Sequence, residues 1–218
     1  MPRPLRILIA RHGETEWNLS RRFQGHLNSP LTERGHQQAQ RLAARLANES
    51  ISAVFSSDLG RAMQTARPIA DALGLELATS PLLREIDCGR WTGRAKDGLA
   101  REDPRGIERY RITPSEHRMP GGESLADVQA RGLAFLRDAQ VRAFRHPVVI
   151  ITHHIVVETI VAHALKRGLS DLWLSIPTGN CFLSELELTD DRLQALTIYD
   201  GAYLGEAAQP YFEGERVA

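Results

Sequence analysis

Two rhythms of apolar residues alternate along the chain. Leu5 to Ala10 and Val148-Val149-Ile150-Ile151-Thr152 are short and nearly unbroken, as strands buried on both faces of a parallel sheet are. Ser52-Ala53-Val54-Phe55-Ser56-Ser57 predicts another strand, and Leu75 to Leu83 an extended segment. Elsewhere the spacing lengthens to three and four. Ala39, Leu42 and Leu46 form one stripe of a helix capped by Thr32. A second helix is expected from Asp58, its cap, to Leu73, stopped by Gly74 and kinked at Pro68. A third starts near Ser124 with Leu125, Val128, Phe135 and Leu136 in phase, and a fourth covers Ile155 to Leu165, closed by Gly168. Cys181 to Leu188 and Leu193 to Tyr199, joined around Asp190 and Asp191, predict a strand pair. From about 94 to 122 the pattern weakens into polar, Pro- and Gly-containing sequence, expected to form a lid-like insertion in a single domain spanning 1–218. The order of elements argues for a layered α/β fold with an antiparallel edge.

Composition narrows the function classes. At 218 residues and 42% hydrophobic, the chain can bury one substantial core. Lys+Arg and Asp+Glu balance at 27 each, so no global field draws it to nucleic acid or an anionic membrane. Cys88 and Cys181 form no metal or disulfide framework, and no apolar run reaches the roughly 18 residues of a membrane span. A soluble, cytoplasmic protein is expected.

The chemistry gathers at segment ends. Leu5 to Ala10 stops abruptly on Arg11-His12-Gly13, and Val148 to Thr152 on His153-His154. In open α/β sheets ligands lie beyond the carboxyl ends of such strands. Arg61 falls in the first turn of its expected helix, where the partial positive charge disfavours a cation unless an anion bridges the two. Guanidinium forks suit phosphate oxygens, whereas no Gly-rich nucleotide loop is present. Histidine is then the candidate nucleophile, kept unprotonated by its guanidinium neighbours. The departing alkoxide needs a proton. Glu85 is the first choice to supply it, with Glu14 and Glu123 as competitors. Metal ligation fits poorly, because adjacent His153 and His154 diverge by about 100° on a helix and no H-E-x-x-H occurs. His26 lies in the site-side loop as a candidate substrate contact, while His36, His117, His146 and His163 read as surface or core residues.

Taken together the segments resemble a known family. Arg11-His12-Gly13-Glu14-Thr15, Trp17-Asn18, Phe23-Gln24-Gly25, Pro30 to Gly35, Ser56 to Ala62 with Thr65-Ala66, Arg84 to Asp87 with Gly89 and Gly93, Pro120 to Ser124 and Thr152-His153 follow the order of the histidine phosphatase superfamily, the phosphoglycerate mutase-like proteins. The resemblance implies a three-layer α/β/α sandwich with a mostly parallel sheet and an antiparallel edge strand, without metal or organic cofactor. It implies that His12 is phosphorylated, that Arg11, Arg61 and His153 hold the phosphoryl group, and that Glu85 donates the proton. Asn18, Gln24 and Gly25 would contact phosphate or substrate. Two positions depart from the family pattern: His154 stands where members commonly have Gly, and Glu158 where an Arg is frequent. His154 is therefore placed with the substrate-binding set, either narrowing the pocket or turned outward.

Glu85-Ile86-Asp87-Cys88-Gly89-Arg90-Trp91 resembles the hydrolase branch more than the mutase segment, and the lid region is short. The expectation is a phosphoric monoester hydrolase of the histidine acid type acting on a small-molecule phosphate ester. A 2,3-bisphosphoglycerate-dependent phosphoglycerate mutase is the alternative, followed by a non-catalytic phosphate-binding protein. Neither nucleic acid nor membrane is an expected partner, and a homodimer is left open.

Overall fold

The structure is a computed structural model that describes residues 4–171, 178–190 and 192–209. A six-stranded sheet in the order β3-β2-β4-β1-β5-β6 organises it. The strands are β1 (Leu5–Arg11), β2 (Ala53–Ser57), β3 (Leu77–Ser80), β4 (Val148–Thr152), β5 (Leu183–Thr189) and β6 (Arg192–Asp200). β1, β2, β3 and β4 are mutually parallel, while β5 runs antiparallel to both β1 and β6. Every residue of β4 is buried, which is why its sequence reads as an unbroken apolar run. β5 and β6 alternate buried and more exposed positions and form the antiparallel edge.

The helices are α1 (Glu16–Leu19), α2 (Glu33–Leu46), α3 (Gly60–Leu73), α4 (Lys96–Glu102), α5 (Pro104–Ile112), α6 (Leu125–Arg137), α7 (Ala139–Arg142) and α8 (His154–Ala164). Thr32 caps α2 by accepting from Gly35 N, and Ser124 caps α6 in a reciprocal box with Asp127. Gly74 ends α3 in the left-handed conformation, and α3 passes through Pro68 without a break. Right-handed crossovers place α2 and α3, which pack on each other, on one face of the sheet. The chain from β3 to β4 crosses in the other direction, so α6, with α8 packed on it, covers the opposite face.

Three local expectations are corrected. Asp58 does not cap α3; its carboxylate is held by the Arg84 guanidinium, and Leu59 takes the cap position. Gly168 does not close α8. Lys166 adopts the left-handed conformation instead, with Arg167 N donating to Ala162 O and Lys166 N to His163 O. The second strand of the C-terminal pair starts at Arg192, and its partner at Leu183, because Cys181 has a positive φ that cannot extend the strand. Asp191 of the expected turn lies outside the described residues. Residues 96–112 of the region expected as a lid form α4 and α5, from which Lys96 and Tyr110 reach the cleft described below. Among the described residues no helix is long and apolar enough to cross a membrane.

Candidate active site

β1 and β4 are neighbours, with Arg11 opposite Thr152. The helices that follow them leave to opposite faces of the sheet, so the crevice past their carboxyl ends is a topological switch point. That geometry brings together His12 and His153, which are 141 positions apart by number. His12 N donates to Thr152 O at 2.9 Å, and Asn180 Nδ2 donates to His12 O at 2.9 Å, fixing the backbone from two sides. Gly13 N donates to Thr65 Oγ1 at 2.9 Å. Gly13 must be glycine because a Cβ there would lie 2.5 Å from Gly35 O.

The His12 ring is 1% exposed. Its Nδ1 lies 2.7 Å from Gly13 O, and since a carbonyl oxygen can only accept, Nδ1 carries the proton. Nε2 therefore keeps its lone pair, which accepts from Arg61 Nε at 3.2 Å. Burial, followed by the charges of Arg61 and Arg11, holds the imidazole well below its usual pKa. The ring is neutral, with a defined tautomer and a lone pair at Nε2.

Arg61, on the first turn of α3, is also 1% exposed. Its Nη1 donates to Leu27 O at 2.7 Å and its Nη2 to Gly25 O at 2.9 Å, both neutral acceptors. Burial lowers its pKa to about 10 despite the nearby Glu85 charge. His153 is fully buried, its ring centroid 5.2 Å from that of His12 at an interplanar angle of 62°. Neither of its ring nitrogens has a hydrogen-bond partner among the described residues. Burial first, then Arg61, His12 and Arg11, keep it neutral well below the usual value. Buried polar groups are rarely left unsatisfied without a functional reason. A desolvated guanidinium and an unsatisfied imidazole beside a nucleophilic nitrogen suit an anion.

Across the cleft, Glu85 Oε1 accepts from Ile86 N at 2.9 Å and from Ile155 N at 3.3 Å. Burial raises its carboxyl pKa against the opposing pull of Arg61, Arg11 and Arg131. Its two competitors are committed elsewhere. Glu14 accepts from Thr32 Oγ1 at 2.8 Å and pairs with Arg34, while Glu123 pairs with Arg131 and accepts from Asp87 N at 2.9 Å.

All the predicted site residues except His153 stand on the cleft wall: Arg11, His12, Asn18, Gln24, Gly25, Arg61, Glu85 and His154. His153 meets the His12 ring edge-on. Asn18 Oδ1 accepts from Thr15 N at 3.0 Å and Asn180 Nδ2 at 3.3 Å, and Gln24 Nε2 donates to Thr15 Oγ1 at 2.9 Å. Gly25, at φ +52°, turns its carbonyl onto Arg61. His26 is not on the wall; its Nε2 lies 2.9 Å from Glu85 O, so it buttresses the acid's backbone.

Sequence reasoning missed three contributors. Asn180 precedes the antiparallel strand that pairs with β1, and a polar residue just before that buried strand was its one signal. Thr65 receives Gly13 N and donates to Arg61 O, a side-chain return to the helix backbone that only the fold reveals. Arg131, on α6, donates to the carbonyls of Leu82, Arg84 and Glu85 and pairs with Glu123, tying down the segment that carries Glu85.

This fold and this His-Arg cluster define a phosphoglycerate mutase-like α/β protein, and the comparisons agree. Residues 7–201 match the histidine phosphatase superfamily (branch 1), and the chain belongs to that superfamily. It is 33% identical over 202 residues to "Phosphoserine phosphatase 1" of Hydrogenobacter thermophilus, covering 93% of this chain and 95% of that one. It is 35% identical over 190 residues to "Probable phosphoglycerate mutase GpmB" of Yersinia pestis, covering 84% and 85%. Among solved structures, Bacillus stearothermophilus YhfR superposes with a TM-score of 0.88 at 30% identity, covering 92% of this chain and 99% of that one. A mycobacterial glucosyl-3-phosphoglycerate phosphatase gives 0.80 at 26% identity, covering 91% and 100%.

Proposed function

We propose that this protein is a metal-independent phosphomonoesterase that hydrolyses a small phosphorylated metabolite in the cytoplasm through a phosphohistidine on His12. The observation that carries the reading is the His12 ring, buried and neutral, with Nδ1 tied to Gly13 O and Nε2 left as an acceptor beside Arg61. Nε2 attacks phosphorus while the bond to the ester oxygen breaks. Arg11 and Arg61 neutralise the phosphoryl oxygens, and the unsatisfied ring of His153 donates to one of them. Glu85, whose raised pKa suits an acid, gives its proton to the departing alkoxide. Glu85, now a carboxylate, takes a proton from the water that attacks the phosphohistidine, and inorganic phosphate leaves with His12 neutral again. Two steps thereby replace one harder displacement. Asn18, Gln24 and Gly25 shape the phosphate side of the cleft, and His154 the side that receives the ester's alkyl group.

The GpmB-named relatives support a second reading, in which a phosphoglycerate and not water receives the phosphoryl group from His12. The deciding experiment measures phosphate release from a panel of phosphomonoesters in excess chelator, and isomerisation of 3-phosphoglycerate with 2,3-bisphosphoglycerate present. Release that survives the chelator and disappears in His12→Ala is the expected result. Isomerisation without release establishes the mutase, and binding of inorganic phosphate with neither activity a non-catalytic phosphate-binding protein.

A further inference from the structure

The two positions that depart from the family pattern meet in space. His154 and Glu158 lie one turn apart on α8, with His154 Nδ1 4.0 Å from Glu158 Oε1. Residues spaced by four share a helix face, and here that face is interior: His154 is 7% exposed and Glu158 5%. His154 has not turned outward: it is buried and lines the cleft together with Glu85 and Ile155. Its place on the wall is the leaving-group side. Glu85 Oε1 accepts from the backbone N of Ile155, the very next residue, and a proton donor must stand beside the ester oxygen. The helix that carries the ring cannot easily yield, since Val156, Ile160 and Val161 of α8 are fully buried in the close-packed core.

We propose that His154 is a steric selector that narrows the leaving-group side of the cleft, so that compact, unbranched alkyl phosphates are accepted and broad ones turned away. The proposal rests on the His12–Glu85 reading and adds the shape of the substrate to it. Where a glycine would leave this wall open, the ring fills it.

The test compares kcat/KM for ethyl phosphate and cyclohexylmethyl phosphate, whose alkoxide leaving groups are similar in chemistry and differ in girth. Each variant is read as the ratio of the two substrates, so a loss of folded enzyme cancels. In His154→Gly the cyclohexylmethyl-to-ethyl ratio is expected to rise about tenfold, equivalent to about 1.4 kcal/mol. His154→Ala gives the same comparison where glycine at the helix start destabilises α8. His154→Phe, which keeps the girth without the nitrogens, retains the parent ratio. A ratio within twofold of the parent in both small variants overturns the selector, as does a Phe variant that behaves like the Gly one. Phosphate released from both esters with an unmoved ratio sinks this proposal alone, whereas no release from any ester removes the hydrolase reading and the proposal with it.

Discussion

At the scale of single residues, the site is a set of polar groups whose burial sets their protonation. Glu85 is the clearest case, because an elevated carboxyl pKa matters most when the leaving alkoxide is strongly basic. Glu85→Gln is expected to slow alkyl phosphates by 10²- to 10⁴-fold and p-nitrophenyl phosphate far less; equal losses for both substrates would remove Glu85 from the acid role. His12 and His153 give a second, thermodynamic expectation. Both imidazoles are depressed in the folded state, so the unfolded chain binds more protons below its own value near 6.5. Their contribution is present above that pH and is lost as the pH falls through the folded values. Glu85, raised in the folded state, acts in the opposite sense, with its contribution lost as the pH climbs above the ordinary carboxylate value. Calorimetry at pH 7.5 and 5.5 should show a drop in Tm that His153→Gln makes smaller; an identical drop would mean that His153 is not held neutral by the fold. His12 and His153 were legible as candidates because each follows a buried apolar strand, a setting in which a histidine needs a reason. Thr65 and Asn180 were not, since what makes them functional is a partner supplied by another element.

At the scale of elements, Glu85 is carried by a segment with little regular structure of its own. Residues 81–83 and 89–91 are single 3₁₀ turns, and Glu85 lies between them. α6 compensates: Arg131, 15% exposed at its side chain, spans Glu123 and three carbonyls of that segment. Arg131→Ala leaves the half-buried Glu123 carboxylate and three carbonyls of that segment without their donor and should cost roughly 1–3 kcal/mol, with kcat falling more than KM rises because Glu85 is no longer held against Ile155. A loss of stability with unchanged kcat would make Arg131 purely structural. The entry to α2 is as constrained. A Cβ at Gly35 would lie 2.1 Å from Glu14 O, so Gly35→Ala should destabilise by about 3 kcal/mol and displace the His12 loop. A Tm within a degree or two of the parent protein would show that the loop can give way. The helices and central strands could be read from the chain because β4 is apolar throughout and α2 has a clean stripe and a Thr cap. The errors fell at ends. Asp58 has the chemistry of a cap and was diverted by an arginine 26 positions on, and Lys166 occupies a left-handed position that the local sequence assigns to glycine.

At the scale of the whole molecule, the site and the core are one construction. His12 and His153 directly follow the two central strands, Arg61 opens α3, and Glu85 bonds to the start of α8. The chain's charges balance, so on the proposed reading any attraction for phosphate must be local to these elements. A ligand that bridges them adds its binding energy to global stability. Inorganic phosphate at 100 times its Kd should stabilise the folded state by about 2.7 kcal/mol, a rise of roughly 5–10 °C in Tm for a chain of this size. Arg61→Met should abolish that rise, because it deletes a buried guanidinium that touches neutral acceptors and, among the described residues, has no carboxylate in direct contact. The shift should also shrink as sodium chloride is raised, less steeply than for an exposed site because buried charges are weakly screened. A phosphate-induced shift that persists in Arg61→Met would place the anion elsewhere on the molecule, and the assignment of the cleft beyond β1 and β4 as the phosphate site would fall.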